Sequence, residues 1–179
     1  MMQNIAISLI LFLATIVQVS FLPIFFTGRS VPDVTLIIIM VWIARADFNS
    51  VLKWAILGGL MADIASFQPV GLNVFSFVAV AFIINSLSKR FLVPQFAWKF
   101  FMLIILVLVG TTVNQAIIGF AAGIDGQPSG LFRHIPEFFG QGFFLKLLYN
   151  LGVFAILYWP LKKLDKIFAY QNNRVVIKR

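Results

Sequence analysis

The sequence contains no cysteine and one histidine, His134. The missing cysteines exclude disulfides, thiolate zinc sites and thiol catalysis, and they leave the compartment open. Charge is scarce as well: 11% of the 179 residues are charged, against about 25% in a soluble domain. Apolar residues fill the place, at 61% of the chain, and the mean hydropathy is +0.99. A soluble globular fold is thereby excluded, and the chain reads as an integral membrane protein. Its apolar runs are spread from end to end, so a soluble domain carrying one anchor is excluded too. One membrane domain over 1–179 is the economical reading. The opening MMQNIAISLILFLATIVQVSF lacks a basic leader and a small-residue cleavage site, so we read it as a retained first helix.

A spanning helix needs about 20 predominantly apolar residues. Runs over 5–26, 100–122 and 138–160 meet this, the last interrupted by Lys146. Three shorter runs, 32–44, 51–67 and 72–87, lie between them. If the middle pair formed a re-entrant hairpin, ARADFNSVLK would sit at membrane depth, where Arg45, Asp47 and Lys53 each cost about 2.5–3.5 kcal/mol. The expectation is therefore an all-α polytopic protein with six transmembrane helices. With a cytoplasmic N-terminus, the inner loops and the tail hold Arg45, Lys53, Lys89, Arg90, Lys99, Lys162, Lys163, Lys166, Arg174, Lys178 and Arg179. The outer loops hold Arg29 and Arg133 alone. This asymmetry places both termini in the cytoplasm. It also accounts for the net charge of +8 without any nucleic acid. In the basic tail, 161–179, Leu161, Leu164 and Phe168 recur at helical spacing, which suits a helix resting on anionic lipid; a specific cytoplasmic contact is the other reading of the tail.

Catalytic patterns are missing. There is no GxxxxGK[ST] loop, no HExxH and no pair of glutamates, and Ser129 and His134 share one outer loop instead of facing each other from two spans. The spans carry amides and hydroxyls: Gln18, Asn85, Thr111, Thr112, Asn114, Gln115 and Asn150. We read these as interhelical hydrogen-bonding groups, the alternative being the lining of a small-molecule cavity. GFAAG, from Gly119 to Gly123, has the spacing that lets helix backbones approach. Two charges stand clear of the loops, Asp63 and Lys146. Buried charges in a membrane are functional candidates with a partner, so we expect these two to pair, directly or through water. The competing reading is that Lys146 snorkels alone and Asp63 caps the broken backbone around Gln68 and Pro69.

The stretch from Gly58 to Phe77 carries a pattern of its own: Gly59 and Asp63 four apart, then Ser66, then Pro69, Gly71, Leu72 and Asn73. It resembles the signature of the MreD family of rod-shape-determining membrane proteins. Pro32 and Asp33 resemble the opening of that family's second span, and Asn150 and Pro160 before a basic tail resemble its last. The resemblance implies a non-enzymatic inner-membrane scaffold of the elongation complex (elongasome) that supports side-wall peptidoglycan synthesis. It implies MreC as a partner and, through MreC, MreB, RodA and its transpeptidase. It implies no cofactor, no metal and no catalytic residue. It also implies a fold similar to the substrate-binding subunits of energy-coupling-factor transporters, which makes a vitamin-binding subunit the alternative function. Within the pattern, Pro69 and Gly71 end one helix, and Asp63, Ser66, Gln68 and Asn73 are positioned to satisfy the exposed backbone, a structural role that competes with a partner or ligand contact. The loop GIDGQPSGLFRHIPEF, with Asp125 and His134, is the candidate contact for MreC, against a reading as a passive connector.

Overall fold

The computed structural model describes residues 2–26, 30–43, 48–66, 69–91, 96–124 and 141–177. All regular structure among them is helical. The first rod consists of α1 (Met2–Ile16), a π-helical turn (Val17–Phe21) and α2 (Leu22–Phe25). The interruption has a local cause, because Pro23 has no N–H to give to the carbonyl one turn back. Leu22 donates to the carbonyl of Val17 instead, five residues earlier, which adds a residue to the turn. After the rod come α3 (Val34–Ile43), α4 (Phe48–Ser66), α5 (Leu72–Phe91), α6 (Phe96–Ile124) and α7 (Gln141–Ile177).

The positions of these elements follow the apolar runs closely. The ends differ most at α6, which extends past the expected 100–122 on both sides, and at α7, which continues through Pro160 to Ile177. Residues 161–177 of the basic tail are thus helical and continuous with the rest of α7. Three helical stretches are long and apolar enough to cross a membrane: Asn4–Phe25, Leu103–Ala121 and Gly142–Leu161. Val34–Ile43 and Leu72–Leu87 are apolar but shorter.

α3 lies at the centre. Nine of its ten residues are buried, from Thr35 to Ile43. A helix that is apolar on every side has no solvent face to offer, so it ends up enclosed, and VTLIIIMVWI is such a sequence. Its β-branched residues weaken helix propensity in water, but inside a membrane an unpaired backbone is far costlier, and a helix satisfies its own. Around α3 the other helices turn one face inward and one outward. In α1, Ile7, Leu11 and Ala14 enter the core while Ile5, Leu9, Phe12 and Ile16 are exposed. In α7, Phe154, Tyr158 and Leu161 enter it while Leu148, Ile156 and Trp159 are exposed. An apolar exterior this extensive is foreign to water-soluble monomers and natural against lipid. Two ring contacts pin the periphery: Phe26 on Tyr149, with centroids 4.5 Å apart, and Phe48 on Phe82.

Candidate functional site

Two buried carboxylates organise the bundle, and each sits at a helix N-terminus. The first is Asp63, 1% exposed. Gly59 and Asp63 are one turn apart and share a face of α4. At Gly59 the helices nearly touch, since an added Cβ would lie 2.6 Å from the Cα and 2.8 Å from the nitrogen of Val74. This crossing delivers the Asp63 carboxylate into the first turn of α5. The backbone N–H groups of Gly71 and Asn73 each donate to it at 2.8 Å, and that of Val74 at 3.5 Å. Gly71 accepts the first helical bond of α5, from Phe75 at 2.8 Å, so it occupies the capping position. Having no side chain, it leaves the orphan amides to a neighbouring helix, and a carboxylate there also meets the positive end of the helix dipole. Gly71 has φ of 102°, a conformation that a side chain disfavours, and Leu72 N–H closes the turn on Pro69 at 3.2 Å. The Ser66 hydroxyl is engaged within α4, donating to the Ala62 carbonyl at 2.6 Å. Replacing Asp63 with Asn leaves one acceptor oxygen and no charge for these amides. The expected loss is about 1–2 kcal/mol, read from thermal unfolding in micelles; an unchanged transition would rule out the cap as a stabilising element.

The second carboxylate is Asp33, which follows the buried Pro32. Its own carbonyl accepts from Ile37 at 3.0 Å, so it caps α3. The orphan amides of α3 are taken by side chains of other helices: Asp33 N–H donates to Asn150 Oδ1 at 2.8 Å, and Thr35 N–H to Gln18 Oε1, in the π turn, at 3.0 Å. The Asp33 carboxylate is engaged elsewhere. Its Oδ2 lies 2.9 Å from Lys146 Nζ and accepts from Asn114 Nδ2 at 3.1 Å. Lys146 also donates to Gln115 Oε1 at 3.1 Å, Asn150 Nδ2 donates to Thr111 Oγ1 at 3.0 Å, and Ser76 donates to Asn114 Oδ1. The hydroxyls of Thr15 and Thr35 are 3.1 Å apart. Thr111, Asn114 and Gln115 share one face of α6, and Lys146 and Asn150 share one face of α7, by the three-and-four spacing of a helix. The result is a polar belt joining the first rod, α3, α5, α6 and α7. Among the described residues no buried side-chain nitrogen or oxygen is left without a partner.

The expected partnership of Asp63 with Lys146 does not form. Lys146 lies on Asp33 and Asp63 on the amides of α5, because α7 packs on α3 and α6 while α4 packs on α5, α3 and α1. Asn150 joins the belt, Asn73 is buried and gives its N–H to Asp63, and Pro69 and Gly71 form the turn. Gln68, Asp125 and His134 lie outside the described residues. Ser76 was overlooked in the sequence, although it stands one turn after Asn73 on α5. Asp33 was read as the opening of the second span and not as the partner of Lys146, and its signal was its place directly before an enclosed apolar helix. Among the described residues, no three His, Cys, Asp or Glu side chains gather as for a metal ion.

The family model described as rod shape-determining protein MreD matches residues 2–168. The chain belongs to the MreD family. No curated protein and no solved structure matches it. The family match spans both carboxylate sites in full, from Asp33 to Asn150. Membership carries a role in rod-shape determination, in a family of membrane proteins, and the apolar helices of this MreD-family chain agree with that setting.

Proposed function

We propose that the chain is a non-enzymatic scaffold of the rod-shape complex in the bacterial cytoplasmic membrane. It crosses six times with both termini inside, binds MreC, and through MreC serves MreB, RodA and its transpeptidase in side-wall peptidoglycan synthesis. The observation that carries the reading is the closure of the polar belt. Amides, hydroxyls, one carboxylate and one ammonium are spent on each other, and a buried network satisfied in this way fixes helix positions. A transport site at membrane depth uses free helix ends and unpaired polar groups to hold its cargo; here the N-terminus of α3 is already occupied by Gln18 and Asn150. The segment from Asp125 to His134 is the proposed contact with MreC.

Reporter fusions after Gln68 and Gly126 are expected outside the cytoplasm, and fusions after Lys53, Lys89 and Arg179 inside it; a cytoplasmic signal at Gln68 would remove the six-pass arrangement. Depleting the protein from a rod-shaped host is expected to give rounded, widening cells. Exchange of 125–134 for a neutral linker is expected to weaken copurification of MreC at unchanged membrane abundance. Cells that stay rod-shaped on depletion but lose uptake of a vitamin would overturn the scaffold reading in favour of a vitamin-binding transporter subunit.

A further inference from the structure

The first rod is fastened to the bundle unevenly. Through α1 it buries Ile7, Leu11 and Ala14 and sets the Thr15 hydroxyl 3.1 Å from that of Thr35. Beyond Ile16 the burial stops: neither the π turn nor α2 contains a buried residue, and the two pack mainly on each other and on the end of α1. A hydrogen bond and a ring contact tie this far end to the other helices. Gln18 Oε1 accepts from Thr35 N–H at 3.0 Å, and the Phe26 ring meets Tyr149 with centroids 4.5 Å apart.

The two ties straddle one point. Thr35 stands two residues after Asp33 and Tyr149 directly before Asn150, and Asp33 N–H donates to Asn150 Oδ1 at 2.8 Å. The segment from Gln18 to Phe26 therefore runs from α3 to α7 beside that bond, with Lys146 one helical turn from Asn150. The side chains of Asp33 and Lys146 keep 12% and 10% of their surface open, so a modest displacement of the segment wets them. The π turn supplies a pivot. Leu22 N–H reaches back five residues to Val17, Pro23 has no N–H to carry the ladder on, and helices bend at such points. Opening gives up little beyond the two ties. Phe21, Ile24 and Phe25 are already exposed on the apolar exterior, and apolar surface that stays in lipid meets no hydrophobic resistance to moving. We propose that residues 17–26 form a strap, hinged at the π turn, that swings sideways off α3 and α7 and admits water to the Asp33–Lys146 pair. Segments with few buried contacts open without global unfolding. α1 stays in place through its buried face, and the motion is confined to the strap.

The test uses the full chain in nanodiscs, where any introduced cysteine is unique because the sequence has none. Nitroxide pairs are placed at Ile24→Cys with Val70→Cys and at Leu9→Cys with Val70→Cys, all exposed positions, and distances are read by double electron–electron resonance. The Ile24–Val70 pair is expected to show a main distance and a minor second one, and Gln18→Leu is expected to raise the share of the second relative to the first about tenfold. The Leu9–Val70 pair is expected to keep one distance throughout. In a second arm, Phe26→Cys and Tyr149→Cys are bridged by a short bismaleimide. Hydrogen exchange at the amides of residues 33–35 is then expected to be about tenfold slower than in the same chain with its two cysteines capped singly. An Ile24–Val70 distribution that Gln18→Leu leaves unchanged would overturn the strap. Equal changes in both label pairs would overturn the hinge, since the rod would then leave as a whole, and exchange indifferent to the bridge would overturn the admission of water.

Discussion

Replacing Lys146 with Met is expected to lower the unfolding free energy by about 3–5 kcal/mol, because it leaves a buried carboxylate without its cation. In the native bundle Asp33 Oδ2 holds Lys146 at 2.9 Å and the Asn114 amide at 3.1 Å. Taking the ammonium away leaves the neutral amide to carry a full negative charge in an apolar setting. Asp33→Asn alone does the converse, stranding Lys146 against Gln115. The double variant carries neither charge, and burying two neutral side chains costs much less than burying one unpaired ion. A cycle of the two single variants and the double, followed by thermal or denaturant unfolding in micelles, is therefore expected to show strong coupling. The same cycle run with Asp63→Asn in place of Asp33→Asn is expected to be additive, since Asp63 and Lys146 serve different partners. Additive losses for Asp33 and Lys146 would contradict the ion pair described here.

Gly59→Val is expected to be similarly costly, about 3 kcal/mol, at the upper end of what overpacking does. Helix propensity alone predicts the reverse sign, as a glycine inside a helix is about 1 kcal/mol worse than alanine. At Gly59 the obstacle is backbone, the Cα of Val74 at 2.6 Å, and backbone cannot swing aside as a flexible side chain does. Separating α4 from α5 there also draws Asp63 off the amides of Gly71 and Asn73, so the two sites lose together. Gly152 provides the matched comparison: it is helical too, but an added Cβ meets nothing within 4 Å. Gly152→Ala is expected to hold or raise stability, by up to about 1 kcal/mol. Should Gly59→Ala and Gly152→Ala shift the melting temperature alike, the close crossing of α4 and α5 would be refuted.

The all-helical architecture was legible in the sequence because lipid leaves so few options: apolar runs of sufficient length become helices, and their order is their order in the chain. The interior of the bundle was harder to read. Lys146 announced itself by standing alone in an apolar run, yet nothing local says which carboxylate meets it, since that depends on which helices are neighbours. Depth along the chain favoured Asp63, and packing delivered Asp33. The spacing of Thr111, Asn114 and Gln115 against that of Lys146 and Asn150 held the missing information, as two polar faces with matching periods. Glycine was ambiguous in the same way. GFAAG has the conventional spacing for a close approach, whereas the close crossing at Gly59 follows from where Asp63 must reach, one turn away.

The bond from Asp33 to Asn150 connects residues 117 positions apart, and it has a consequence for how the protein is made. α3 emerges early from the ribosome as a ten-residue apolar helix, too short to cross a bilayer on its own and headed by a carboxylate. The ammonium that neutralises that carboxylate and the amide that caps its helix are both on α7, which is synthesised after all the other described helices. α3 therefore waits for α7. Until α7 arrives, an incomplete chain holds a charged, uncapped helix end among apolar neighbours, the kind of defect by which a cell's quality control tells an unfinished membrane protein from a finished one. Closure of the polar belt is thus coupled to the arrival of α7, and the bundle becomes rigid only once that helix is in place.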